Sequence, residues 1–234
     1  MNAMRTFRSG GVRLAYEQAG PAGGSPLLLL HALGENRGSW DAVADALAAD
    51  GWRTTALDLR GHGDSDHADD YTFETMRDDV FALLGELGLD EVTVVAHSLG
   101  TVVASLVAMD RPSAVRRMVL EDGPLPFPAD PPRPVPADPG PGPGPAGYDW
   151  RVVAAVARQR NAPPARHLEG LAEITAPTLV IGGGPRSHIP QDQLAEVAAR
   201  IPGARLTTIP AGHMIHDDRL PDFLTATRSF LSEP

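Results

Sequence analysis

Short apolar runs alternate along the chain with segments in which apolar residues recur every three or four positions. The runs are too short for helices and end at polar residues or glycine, so we interpret them as strands. The predicted strands comprise residues 12–17, 27–30, 53–57, 91–95, 117–120, 178–181 and 205–208, the first paired with residues 6–9 in a hairpin. The predicted helices comprise residues 39–49, 73–87, 99–109, 194–200 and 221–231, with Ser39 as the cap of the first. Strand–helix alternation over short connections predicts an α/β fold, with a mostly parallel central sheet and helices on both faces.

One segment interrupts this alternation. Residues 124–147 contain so much proline and glycine that regular secondary structure is nearly excluded, and a helical pattern resumes at 148–160. A disordered linker between two domains is one interpretation. The strand-like stretch "APTLVIGG" that follows favours a return to the same sheet, however. We therefore predict one core domain, residues 1–123 and 171–234, with residues 124–170 as an excursion from it.

Composition narrows the possible chemistry. The chain has no cysteine, which excludes disulfides and thiolate chemistry, and all 20 of its basic residues are arginine, which excludes lysine Schiff bases. A net charge of −10 disfavours nucleic acid or an anionic membrane as a partner. There is no signal-peptide pattern and no apolar segment of ~18 residues, so we expect a cytoplasmic protein. No dinucleotide fingerprint or metal-ligand spacing is present, so we expect no cofactor and no metal.

The stretch "VVAHSLG" places Ser98 between a predicted strand and a predicted helix. The small residues Ala96 and Gly100 leave room for a strained turn that exposes the serine hydroxyl. The N–H of Leu99, at the start of the helix, is then available to an oxyanion. The alternative is that Ser98 only caps the helix.

Three motifs in this order, "HALG", "DLRGHGDSD" and "AHSLG", resemble those of the α/β-hydrolase superfamily. The resemblance implies that Ser98 is the nucleophile and that the turn at 31–34 supplies a second oxyanion donor, the N–H of Leu33. It also implies that His213, after Gly212, is the general base, with His216 as its rival. Alternatively, the motif "HALG" could form only a turn and supply no oxyanion donor. The excursion at 124–170 falls where this superfamily inserts a cap over the active site.

The carboxylic acid that would support His213 is less obvious from the sequence. In this superfamily it usually follows the strand at 178–181, but Arg186 and Ser187 occupy that place here. Some members of this superfamily instead carry the acid after the preceding strand, which here ends in Leu120-Glu121-Asp122. Adjacent side chains on an extended chain point opposite ways, so at most one of these two carboxylates can face His213. By position we favour Asp122, with Glu121 less favoured. The remaining alternatives are Asp192, Asp217, no acid at all, or an Asp122 that only caps the turn after the strand.

A serine nucleophile favours acyl transfer over the aspartate-based dehalogenase and epoxide hydrolase reactions of this superfamily. We expect a small-molecule substrate, a carboxylic ester or lactone that is cleaved through an acyl-enzyme on Ser98. The expected pocket walls are apolar residues of the cap: Leu125, Phe127, Tyr148, Trp150 and Val153. Two alternatives remain: a non-hydrolytic enzyme, such as a cofactor-free haloperoxidase or a biosynthetic cyclase, and a ligand-binding pseudoenzyme.

Overall fold

The computed structural model describes residues 3–123, 126–137 and 147–233. The strands in these residues are β1 Arg5–Ser9, β2 Val12–Ala19, β3 Ser25–Leu30, β4 Trp52–Leu57, β5 Val92–His97, β6 Val115–Glu121, β7 Thr178–Gly182 and β8 Arg205–Thr208. They form one sheet in the order β1-β2-β4-β3-β5-β6-β7-β8, and every pair from β4 to β8 is parallel. The hairpin β1–β2 adds antiparallel strands at one edge. The predicted α/β class and mostly parallel sheet are confirmed.

Helices cover both faces of this sheet, because alternate strand residues are buried on opposite sides. Leu28 and Leu30 of β3 pack with the first helical layer, and Leu27 and Leu29 pack with the second. The helices are α1 Asp41–Ala49, α2 Phe73–Leu87, α3 Leu99–Asp110, α4 Trp150–Asn161, α5 Ala165–Glu169, α6 Gln191–Arg200, α7 Ile215–Asp218 and α8 Leu220–Leu231. The first layer contains α2, α3, α4 and α6, and the second contains α1, α7 and α8.

The first helix differs from its prediction. A 3₁₀ turn, Arg37–Trp40, precedes α1, and Asn36 caps that turn by accepting a hydrogen bond from the Gly38 N–H. Ser39 lies inside the turn and donates its hydroxyl to the Asn36 carbonyl. The prediction that Ser39 caps the helix is therefore wrong, because the chain tightens one turn before the α-helix begins. The short helices α5 and α7 were not predicted, since one turn is too short to show periodicity.

Helix α4 and the residue before it lie against the start of α2 and the loop that precedes α2. Gln159 of α4 donates to the Tyr71 carbonyl at 3.0 Å and accepts from the Phe73 N–H at 2.9 Å. Asp149, just before α4, accepts from the Tyr71 hydroxyl at 2.6 Å. These contacts attach α4 to the sheet domain, while the division into core and cap stays a prediction. Among the described residues, every helix is too short or too polar to cross a membrane.

Candidate active site

Ser98 lies at the carboxyl edge of the sheet, in the sharp turn between β5 and α3. Its backbone has φ 50° and ψ −112°, a conformation that L-residues rarely adopt. A Cβ at Gly100 would come within 2.3 Å of the Leu30 carbonyl oxygen, so only glycine lets α3 approach β3 this closely. The Ser98 side chain makes no capping hydrogen bond to α3. Its hydroxyl therefore does not act as a helix cap.

His213 contacts the Ser98 hydroxyl from the loop after β8. Gly212 has φ 98°, and its N–H donates to the Gly183 carbonyl at 3.0 Å, which holds this loop against the end of β7. The Nε2 atom of His213 lies 3.1 Å from the Ser98 Oγ. His213 is partly exposed, so its ring can be reached from the adjacent cleft.

Asp122, at the end of β6, contacts His213 and so extends the hydrogen-bonded series that begins at Ser98. Its Oδ2 lies 2.8 Å from His213 Nδ1 and also accepts from the Ser187 hydroxyl. Its Oδ1 accepts from the Gly183 N–H at 2.9 Å and from Gln191 at 3.2 Å. Burial alone would raise the pKa of Asp122, but these hydrogen bonds, led by that from His213, outweigh it and hold the pKa below its usual value. The carboxylate is therefore ionised, and it fixes the ring tautomer with the proton on Nδ1 and a lone pair on Nε2.

Glu121 points the other way and contacts the rival histidine. Its two oxygens accept from the His216 N–H at 2.8 Å and from His216 Nδ1 at 2.7 Å, and both side chains are fully buried. The structure thus brings Asp122 to His213 and Glu121 to His216. The other candidate acids, Asp192 and Asp217, are exposed.

A cleft of about 580 Å³ opens at Ser98 and His213. Leu33 and Leu99, whose N–H groups are the predicted oxyanion donors, both line it. Within the described ranges, neither of these N–H groups donates to a protein acceptor. Val153 of α4 lines the cleft too, as predicted for a pocket wall.

The other expected pocket walls lie elsewhere. Leu125 falls outside the described residues. Tyr148 lies over Gly34 and stacks on His62, with a centroid separation of 5.9 Å, while Trp150 borders a separate surface depression. Phe127 packs against the core on the α3 side of the sheet. Phe127 and Tyr148 lie outside the helices, and the packing of α4 decides where the Trp150 side chain points, so composition alone could not indicate these positions.

Behind His213 lies a cluster that the sequence analysis missed: the buried His97, Glu121 and His216, with the partly buried Glu35. His97 Nε2 donates to the His213 carbonyl at 3.0 Å, and its Nδ1 lies 3.6 Å from Glu35. Burial lowers the pKa of His97, but Glu121 and Glu35 outweigh it and raise the pKa above its usual value. Burial alone would raise the pKa of Glu35, but its interactions with His97 lower it to about 2.

Three members of this cluster, His97, Glu121 and His216, place potential ligand atoms within 4.8 Å of one another. They come from three separate elements, so sequence spacing could not reveal them. Both Glu121 oxygens already accept hydrogen bonds from His216, which accounts for the carboxylate.

Two buried groups anchor the loops around the cleft. His31 accepts from the Leu59 N–H at 3.0 Å and contacts the Ala32 carbonyl at 2.7 Å, and burial, followed by His62, lowers its pKa to about 3. The fully buried Asp58 accepts from the Arg37 N–H at 2.6 Å and from the Asp64 N–H at 2.9 Å. These contacts fix the ends of β3 and β4 beside the predicted oxyanion turn.

A serine, a histidine and an aspartate hydrogen-bonded in series at the carboxyl edge of a parallel sheet are typical of α/β hydrolases. The chain belongs to that family: a family model described as the alpha/beta hydrolase fold matches residues 25–163, more than half of the chain.

Relatives and solved structures agree with this assignment. The chain is 29% identical over 247 aligned positions to the mouse sn-1-specific diacylglycerol lipase ABHD11, covering 88% of this chain and 80% of the relative. A hydrolase from Pseudomonas aeruginosa superposes with a TM-score of 0.85 at 25% identity, covering 98% of each chain. An enol-lactonase from Burkholderia xenovorans superposes with a TM-score of 0.84 at 22% identity, covering 98% of this chain and all of that one. The last likeness shows the fold alone.

Proposed function

We propose that this protein is a serine hydrolase that cleaves a small carboxylic ester or lactone. The observation that carries the proposal is the hydrogen-bonded series from Ser98 through His213 to Asp122, with its serine end open to the cleft. The diacylglycerol lipase relative acts on an ester, which supports the same class of bond. A cytoplasmic location stays a prediction.

The proposed reaction begins when His213 Nε2 takes the Ser98 proton and Oγ attacks the substrate carbonyl carbon. The negative charge that develops on the carbonyl oxygen is stabilised by the N–H groups of Leu33 and Leu99. The carbon–oxygen bond breaks, and His213 returns the proton to the departing alcohol. Water then attacks the acyl-enzyme, His213 takes its proton, and the acid is released as Ser98 recovers its hydrogen. Asp122 stays ionised and stabilises the transient imidazolium.

A fluorophosphonate probe and p-nitrophenyl butyrate test this assignment together. We expect wild-type protein to be labelled covalently and to hydrolyse the ester, and Ser98→Ala to lose both. Equal labelling of the two proteins would refute Ser98 as the nucleophile. Labelling without any ester turnover would favour a pseudoenzyme or a non-hydrolytic enzyme.

A further inference from the structure

Arg160, in the last turn of α4, lines the same cleft as Ser98 and His213. Its Nε atom is buried, and the side chain forms no hydrogen bond or ion pair with any residue in the described part of the chain. The buried Arg60, by contrast, makes two 2.7 Å hydrogen bonds to Asp79. Burying even part of a guanidinium without a partner is costly, because its lost hydration is not replaced. Burial, and then the nearby Arg133, lowers the pKa of Arg160 to about 10.

A second arginine, Arg133, lines this cleft, and hydrogen bonds hold its backbone there. Asn161 accepts from the Arg133 N–H at 2.8 Å and donates to the Arg133 carbonyl at 2.9 Å. Four residues before Arg133, the Ala129 N–H donates to the Arg160 carbonyl at 3.1 Å. These contacts pin residues 126–137 to the end of α4 and bring the exposed Arg133 to the cleft. Two like charges are therefore held at one wall, in a chain whose net charge is −10.

The other polar groups at the cleft do not neutralise these arginines. Glu35 lines it, but its carboxylate accepts from the Ala32 N–H at 3.0 Å and interacts with His97. His188 also lines it, and burial, then the neighbouring His213, lowers the pKa of His188. At neutral pH its ring is therefore uncharged. Among the described residues, no carboxylate forms an ion pair with Arg133 or Arg160 at this cleft.

The rest of the α4 wall is apolar, formed by Val153, Val156 and Ala157. An aliphatic segment can therefore lie between the reacting carbonyl at Ser98 and a charged group at Arg160. We propose that the substrate carries an anionic group, a carboxylate or a phosphate, that Arg160 binds with the help of Arg133. This inference rests on the proposed function, because it takes Ser98 as the reacting group.

Three synthetic esters test the proposal: mono-p-nitrophenyl glutarate, its neutral methyl ester, and p-nitrophenyl 4-phosphonobutanoate. We expect wild-type kcat/KM to be higher for an anionic ester than for the methyl ester by about tenfold or more, the effect of one charge-assisted hydrogen bond. A faster reaction of the glutarate identifies a carboxylate as the favoured anion, and a faster reaction of the phosphonate identifies a phosphate. A wild-type preference for the methyl ester over both anionic esters would overturn the proposal.

Substitutions in α4 test which arginine is responsible for the preference for anionic over neutral esters. Arg160→Gln should lower the anionic-to-neutral ratio about tenfold, and Arg160→Lys should retain part of it. Arg158→Gln is the matched control, since Arg158 is exposed on the same helix and does not line the cleft, and its ratio should stay at the wild-type value. A ratio that is the same in Arg160→Gln as in wild type would also overturn the proposal.

The salt dependence of kcat/KM tests the proposal in the wild-type protein, without a variant that must fold. Raising NaCl should lower kcat/KM for the anionic esters more than for the methyl ester, because counterions screen the two arginines. An equal effect on all three esters would contradict the proposal while leaving the serine hydrolase assignment intact. Turnover that persists in Ser98→Ala would instead contradict the serine hydrolase assignment.

Discussion

Two adjacent carboxylates at the end of β6 are both fully buried and contact different histidines. Glu121 is still in the strand and points toward α7, whereas Asp122 lies just past it with φ 39°. This left-handed backbone conformation turns the Asp122 side chain toward the His213 loop. Ser187, which stands where the superfamily usually has its acid, donates to Asp122 instead. Asp122 and Ser187 thus come from the loops that follow two neighbouring strands, β6 and β7.

At the residue scale, we predict that Asp122→Asn lowers kcat for an ester substrate by about 10³–10⁴-fold, because the amide favours the wrong imidazole tautomer. Steady-state kinetics on p-nitrophenyl butyrate measure this effect. Asp192→Asn is the control, because Asp192 is exposed on α6, and its kcat should stay close to wild type. If Glu121→Gln folds normally and loses kcat while Asp122→Asn keeps it, Glu121 is the acid.

At the element scale, the site depends on how closely α3 packs against β3. Gly100 on α3 faces the Leu30 carbonyl, and this contact places the N–H of Leu99 beside the turn that contains Leu33. A second helical glycine, Gly85, has no such role. Gly85 in α2 is exposed, and a Cβ there would meet no atom within 4 Å.

These two helical glycines give a matched pair of substitutions. Gly100→Ala should lower the free energy of unfolding by about 1–3 kcal/mol and reduce kcat, since α3 must move away from β3. Gly85→Ala should raise the free energy of unfolding by about 0.5–1 kcal/mol, because alanine is the better helix former, and should leave kcat unchanged. Urea unfolding and ester kinetics measure both quantities. A fully active, equally stable Gly100→Ala would show that α3 does not need this close approach.

At the scale of the whole molecule, buried ionisable groups link the stability of the fold to pH. The pKa of His31 is lowered from 6.5 to about 3 by burial and by His62. Below pH 6.5 the unfolded chain therefore binds a proton that the folded chain does not, so the free energy of unfolding falls as the pH falls toward 3. Glu35, whose pKa is lowered from 4.5 to about 2, adds a further loss as the pH falls below 4.5.

We expect urea unfolding of the wild type to show this loss between pH 6.5 and pH 5, with His31 contributing up to about 1.4 kcal/mol per pH unit. His31→Gln removes the titrating group, so its free energy of unfolding should fall less steeply over the same range. Above pH 7.5 the slopes of the two proteins should agree. Identical slopes between pH 6.5 and pH 5 would show that His31 takes up its proton equally in the folded and unfolded states.

The strand and helix pattern was largely readable from the sequence, because the central strands and the longer helices bury regular sets of apolar side chains. The predicted ranges of α2 and β8 match the structure. The prediction failed where order depends on local hydrogen bonds, as at Ser39, or on single turns such as α5 and α7. The sequence also indicated Ser98, His213 and Asp122 as the candidate site, through motifs that each follow a strand.

What the sequence could not decide depends on where side chains point once the strands are assembled. Whether Glu121 or Asp122 faces His213 follows from one backbone angle, and the cluster of Glu35, His97, Glu121 and His216 joins residues far apart along the chain. The sequence pattern places Val153 and Trp150 in one helix, and only the packing of α4 shows that Val153 reaches the cleft and Trp150 does not. Burial beside Ser98 likewise distinguishes Arg160 from the chain's other arginines. Local periodicity determines the strands and helices. The candidate active site at their ends depends on side-chain contacts that exist only in the folded chain.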